Sequence, residues 1–363
     1  MDAKQKAIVN PSEKIKKLTK RIPVKDIFIG GGGRITIQSM TNTDTSDVAA
    51  TVEQIRRLEA AGCDIVRCAV TDMKDAKAVK SIVGQIKIPL AADIQFDYKL
   101  AVAAIENGAH KVRINPGNIG GKDKVKTVCD CAKAAGVPIR VGVNSGSIEK
   151  EIFAQYGNTP KALYESALRS VRLLEECGFS DIVISAKSSN VKSMLETNRM
   201  LHELTDYPLH LGVTEAGNKD AGVIKSAIGI GGLLADGIGD TIRVSLTGDP
   251  VHEIEAARGI LRALGLDKNY AEVVSCPTCA RCHIDLASLA DEITAMTREI
   301  TKPLKLAVMG CVVNGPGEAR DADLGIAGGK DKSVIFKKGV PLKTVSNENL
   351  LQEFITELCA ITD

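Results

Sequence analysis

One unit recurs through the first 246 residues: a short run rich in Val and Ile ends in polar residues and leads into a helical stretch. The run endings are QSMTNT (38–43), VRCAV (66–70), ADIQF (92–96), VRINPGN (112–118), VGVNSGS (141–147), ISAKSS (184–189), GVTEAG (212–217) and RVSLT (243–247). Between them, apolar residues fall at helical spacing. Val48, Val52, Ile55 and Leu58 mark one buried face, with Ser46 or Asp47 placed to cap it. Strands alternating with helices specify a parallel sheet, and eight such units in about 250 residues match a closed β/α-barrel of the TIM type. An open doubly wound sheet would want a Gly-rich turn after its first strand, but GGGGR (30–34) precedes the strand here. The fold class is therefore α/β, with an eight-fold barrel over residues 1–267 and a small α+β domain over 268–363.

In such a barrel the site forms where strands end, so the polar residues at those endings can converge. They are Asn42, Arg67, Asp93, Arg113, Asn115, Arg140, Asn144, Lys187, Thr214, Glu215, Arg243 and Ser245, with four arginines and one lysine against two acids. Arginine forks match phosphate oxygens, so this rim suits a phosphorylated or diphosphorylated substrate. GIGG (229–232) could bring backbone N–H groups to phosphate, or could serve close helix packing.

Composition excludes other classes. A net charge of +2, 3% aromatics and no Trp leave neither the electrostatic footprint nor the stacking platform that nucleic-acid binding needs. No apolar run is long enough to span a membrane, and the charged N-terminus does not suit a signal peptide, so a cytoplasmic protein is expected. Ten cysteines in a reducing compartment point to metal or redox chemistry where they cluster. Cys63, Cys68, Cys129, Cys131, Cys177 and Cys359 sit in apolar or helical contexts and read as small hydrophobes.

Beyond residue 268 the pattern changes to SCPTCARCHID, a helical stretch, the strand LKLAVMG running into CVVNGPGEA, two further strand-like runs and a final helix from about Asn347. Cys276 and Cys279 share a tight turn, and Cys282 follows at the same spacing. A ferredoxin run would continue to a fourth Cys and Pro, but Leu286 and Ala287 stand there. The C-x3-C-x2-C spacing of radical enzymes that use S-adenosylmethionine is absent. Cys311, at the end of a strand, supplies a distant ligand. Spacing alone allows either an iron–sulfur cluster or a zinc site completed by Cys282 or His283.

QSMTNT, VRINPGN, VGVNSGS, GVTEAG, the stretch 222–247, SCPTCAR (275–281) and MGCVVNGPGEA (309–319) occur in this order over nearly the whole chain. In these motifs the sequence resembles the 4-hydroxy-3-methylbut-2-enyl diphosphate synthases of the non-mevalonate isoprenoid pathway, in their two-domain bacterial form. The resemblance implies a 4Fe-4S cluster on Cys276, Cys279, Cys311 and Glu318, the glutamate being a ligand that substrate oxygen can displace. It implies that the cyclic diphosphate is held by Arg67, Arg113, Arg140, Lys187, Arg243 and Ser245, with Asp93, Asn115, Asn144 and Thr214 nearby and Asn314 reaching in from the cluster domain. Glu215 is the candidate proton donor for the departing hydroxyl. Flavodoxin or ferredoxin as electron donor, and a homodimer in which one subunit's cluster domain closes over the other's barrel, are further implications. The sequence departs from the family pattern at Gln95, where His is usual, at GGGGR, and at Cys282, where Thr is common.

Overall fold

The computed structural model describes residues 17–311 and 319–362. Contacts divide the chain between Leu266 and Asp267 into two compact units. In the first, eight parallel strands follow a short antiparallel hairpin, β1 (Ile22–Val24) with β2 (Ile27–Ile29). They are β3 (Thr36–Met40), β4 (Ile65–Ala69), β5 (Leu90–Asp93), β6 (Lys111–Ile114), β7 (Ile139–Asn144), β8 (Ile182–Lys187), β9 (His210–Leu211) and β10 (Thr241–Ile242). The hydrogen-bonded order is β8-β7-β6-β5-β4-β3-β10-β9, and a parallel bridge between Ile184 and Leu209 joins its two ends, so the sheet closes into a barrel. Each strand matches one of the eight polar-ended runs.

The helices form for the reasons their sequences give. Asp47 accepts the N–H of Ala50 to cap Val48–Ala60, whose Val52, Ile55 and Leu58 are buried against the strands. Thr159 caps Pro160–Glu176, which has Pro at its first position, and Asn190 caps Val191–Leu204. GIGG spans the end of a π-helical turn, Ala227–Gly231, and the first residue of the helix Gly232–Ala235. A Cβ on Gly229 would stand 2.8 Å from Val213 Cγ2, so that glycine serves packing.

The hairpin decides which end of the barrel is open. Ile22, Val24 and Ile29 are fully buried and pack with Ile65, Ala91 and Val183, which lie at the beginnings of their strands. The N-terminal mouth is thereby filled with apolar side chains, and a ligand must use the other end.

The second unit holds a five-stranded mixed sheet in the order β11-β12-β13-β14-β15. These strands are Ala271–Ser275, Leu304–Met309, Leu324–Ala327, Lys332–Lys337 and Val340–Ser346. The first three run parallel and the last two antiparallel. Helices Leu286–Met296 and Leu350–Thr362 contribute Leu286, Ile293, Leu350, Phe354 and Leu358 to a core with Leu306, Val308, Ile326 and Ile335. The hairpin, β11 and β15 are additions to the elements read from sequence. Among the described residues, no helix is long and apolar enough to cross a membrane.

Candidate functional site

Side chains on alternate residues of a strand share a face, and in a closed barrel one face points inward. Arg140, Gly142 and Asn144 on β7 are related in this way, as are Ser185 and Lys187 on β8 and Lys111 and Arg113 on β6. In the ladders Asp93 is the register partner of Arg113, and Arg113 of Arg140, so one acid and two guanidiniums stand side by side across three strands. Past the ends of β9 and β10, Thr214, Arg243 and Ser245 complete the ring. Together with Arg67 and Gln95 these residues line a cavity of about 160 Å³ at the C-terminal end of the barrel.

Three of its cations are fixed from behind. The Arg113 guanidinium donates to Asp93 Oδ1 at 3.1 Å and to the Gly142 carbonyl at 3.0 Å. Arg67 meets the Met40 sulfur at 2.8 Å and lies 3.9 Å from Asp93 Oδ2. Arg243 forms a two-point pair with Glu253, at 3.0 and 3.2 Å. Glycines make room for them: a Cβ on Gly142 would stand 2.2 Å from Arg113 Nε, and one on Gly212 would stand 2.6 Å from Lys187 Nζ.

Burial beside other cations disfavours the charged forms of three of these groups. Burial, and then Arg67 and Arg113, hold Arg140 well below its ordinary pKa. Burial, followed by Arg140, Arg243 and Arg67, does the same to Lys187, and burial lowers Arg67 to about 10. For Asp93, burial pushes upward but is outweighed by Arg67, Arg113 and Arg140, so its carboxyl stays below the usual range. Arg140 is 2% exposed, and its Nε and Nη1 have no hydrogen-bond partner among the described residues. A polyanion entering here would satisfy donors and relieve cation repulsion together.

The cavity gathers Arg67, Asp93, Arg113, Arg140, Asn144, Lys187, Thr214, Arg243 and Ser245 from the set read in the sequence. Asn115 and Glu215 do not line it. Asn115 is buried and caps Pro116–Ile119 through the Gly117 N–H, while Glu215 is exposed on the loop after β9 with φ +52°. Asn42 exchanges hydrogen bonds with Gln54 and also lies outside the lining. Asn314 and Glu318 fall outside the described residues.

In the second unit, adjacent parallel strands bring their C-terminal ends together. Ser275 is the register partner of Val308, so Cys276 follows β11 where Gly310 and Cys311 follow β12. The Gly310 N–H donates to Cys276 Sγ at 3.3 Å, and His283 N–H donates to the Gly310 carbonyl at 3.3 Å, drawing the 276–283 turn over this glycine. Hydrogen bonds from Arg281, backbone first, lower the Cys279 thiol below its ordinary pKa. Cys282 donates to the Ile284 carbonyl at 3.3 Å. Among the described residues no three His, Cys, Asp or Glu side chains are grouped to hold a single metal ion. Thiols at two neighbouring strand ends, one accepting a backbone N–H, suit an iron–sulfur cluster, which spaces its ligands more widely than one ion.

Residues 19–258 match the GcpE TIM-barrel domain, and residues 272–360 match the GcpE protein C-terminal domain. The chain belongs to the GcpE family. Among its GcpE relatives is a 4-hydroxy-3-methylbut-2-en-1-yl diphosphate synthase (flavodoxin) from Caldanaerobacter subterraneus subsp. tengcongensis. It is 60% identical over 95% of this chain and 98% of its own length. The enzyme of the same name from Clostridium perfringens is 58% identical over 94% of this chain and 98% of its own. Among solved structures, type I 3-dehydroquinate dehydratase from Clostridium difficile covers 68% of this chain and 98% of its own at a TM-score of 0.50 and 16% identity, a likeness of fold alone.

Several contributors to this GcpE site are not among the site residues read from the sequence, which singles out Gln95 only as a departure from the family pattern. Gln95, Gly142 and Ser185 line the cavity. Beneath it lie Lys111, bonded to Gln38 Oε1 at 3.0 Å, and His210, both fully buried. Burial, and then Arg140, hold both well below their ordinary pKa. The available signal was strand parity: Lys111 precedes Arg113 by two, Ser185 precedes Lys187 by two, and Gly142 lies between Arg140 and Asn144.

Proposed function

We propose that this chain reduces 2-C-methyl-D-erythritol 2,4-cyclodiphosphate to 4-hydroxy-3-methylbut-2-enyl diphosphate, opening the ring and removing a hydroxyl as water. The observation that carries this reading is the cationic cavity at the open end of the barrel, in a chain 60% identical to a synthase of that name. The barrel residues act on the diphosphate. Arg113, Arg140, Lys187 and Arg243 hold its oxygens, with Arg67, Asn144, Thr214 and Ser245 around them, while Asp93 keeps Arg67 and Arg113 in place. Breaking the ring's carbon–oxygen bond leaves a phosphate oxygen with negative charge that the ester lacked, and preorganised guanidiniums favour that charge as it develops. Asn115 supports the rim through the turn it caps.

Glu215, beside Thr214 on the rim, is the acid from which we draw the proton for the departing hydroxyl. Cys276, Cys279, Cys311 and Glu318 would hold a 4Fe-4S cluster, and Asn314 would approach the substrate from the same segment. When bound, the cluster supplies single electrons and a Lewis-acidic iron, chemistry beyond the reach of side chains. The name borne by the relatives supports flavodoxin as donor. We place the enzyme in the cytoplasm and assign it a homodimeric state. The test is an anaerobic spectrum with iron and sulfide assays, followed by addition of the cyclic diphosphate and a reductant. A brown protein that releases the linear diphosphate is the expected result, and a colourless zinc protein would sink the reading.

A further inference from the structure

The cavity's last arginine is held differently from the others. Glu253 lies in the first turn of helix Val251–Ala263 and is 3% exposed. Its Oε1 accepts from Arg243 Nη2 at 3.0 Å and from the Leu246 N–H at 3.2 Å. Its Oε2 accepts from Arg243 Nε at 3.2 Å and from Ser39 Oγ at 2.9 Å. The carboxylate is thus filled by four donors, one from β3 and three from the segment after β10 that carries Ser245.

The ladder where these elements meet is short. β10 pairs with β3 only at Thr241–Thr36 and Ile242–Ile37, so Arg243 and Ser245 stand beyond its end. An arginine on irregular backbone has a long side chain with many rotamers, and a two-point fork removes most of that freedom. Glu253 does not line the cavity. We propose that Glu253 is a positioning residue for diphosphate binding, which sets the direction of the Arg243 guanidinium and fixes the Leu246 backbone beside Ser245. This inference rests on the reading of the cavity as a diphosphate site.

A pure charge effect and a positioning effect differ in sign. Removing a buried negative charge beside a polyanion site would tighten binding if charge alone mattered, whereas loss of the fork loosens Arg243 and weakens it. Calorimetric titration of anaerobically purified protein with the cyclic diphosphate, and with inorganic pyrophosphate as a second probe, separates them. Glu253→Gln should weaken both on the order of tenfold, with KM rising and kcat held within about twofold. In an Arg243→Ala background the same change should cost clearly less, since only the contacts with the Leu246 backbone and Ser39 are left to lose.

Wild-type or tighter affinity in Glu253→Gln, or an undiminished penalty in the double variant, overturns the proposal. Should Glu253→Gln fail to fold, Ser39→Ala carries the test. It removes one anchor and leaves both charges, and should weaken binding about threefold; unchanged affinity there overturns the proposal equally. A wild type that binds pyrophosphate but not the cyclic diphosphate would sink the functional reading while the coupling of Glu253 to Arg243 is still measured.

Discussion

At the scale of single residues, the site is an arrangement of guanidiniums made possible by the absence of side chains elsewhere. Gly142→Ala is the sharpest probe, because the new Cβ would stand 2.2 Å from Arg113 Nε and the guanidinium must leave its place between Asp93 and Gly142. Affinity for the diphosphate should fall on the order of tenfold in calorimetry, with iron content unchanged. Arg113→Ala and Arg140→Ala should each cost about 1.5–3 kcal/mol of binding and leave the cluster spectrum intact. Wild-type affinity in both would remove them from the site. The cations were legible in the sequence because each lies in or beside an apolar run that reads as a strand. Gly142, Ser185 and Lys111 were not, since a glycine, a serine and a strand-initial lysine announce nothing until strand parity puts them on the inner face.

At the scale of elements, the two strand ends of the second unit decide where a cluster can be held. Because Cys276 and Cys311 follow neighbouring parallel strands, Cys311→Ser should abolish iron binding while the barrel, which has its own core, melts normally. Iron assay with thermal unfolding reads both. Cys282 packs its sulfur toward Gly310, where a glycine Cβ would come within 2.6 Å, and spends its thiol proton on Ile284. Cys282→Ser should therefore keep the cluster and Glu318→Ala should lose turnover; the reverse pattern would make Cys282 the fourth ligand. The eight barrel strands were legible because apolar runs with polar ends recur at regular spacing. The hairpin of β1 and β2 was hidden by its brevity, three residues a strand. β15 was hidden because its pattern is exposed and carries Pro341, as an edge strand's can.

At the scale of the whole molecule, the interior charges make the free protein's stability depend on pH in two opposed ways. Lys111 and Lys187 are held well below the 10.5 of a free lysine, so over the range from their folded pKa to 10.5 the unfolded chain binds more protons. Stability then rises with pH. The buried thiols act oppositely: burial raises Cys63 and Cys129 to about 12 and Cys68 to about 11, from 9.0. Above pH 9.0 the unfolded chain ionises these thiols first and stability falls. The melting temperature of the free protein should therefore climb through the mildly alkaline range and turn over near pH 9. Pyrophosphate reverses the first effect, because an anion beside Lys187 favours its protonated form. Binding at pH 8 should thus take up protons, and the calorimetric enthalpy, corrected for the protons pyrophosphate itself exchanges, should differ between HEPES and Tris buffers in the sense of uptake. The stabilisation by pyrophosphate should be larger at pH 7 than at pH 9, since the cationic site is costliest where it is most protonated. Equal enthalpies in the two buffers would mean that the lysines keep their charge in the empty barrel, and that the cavity binds its diphosphate without any change in protonation.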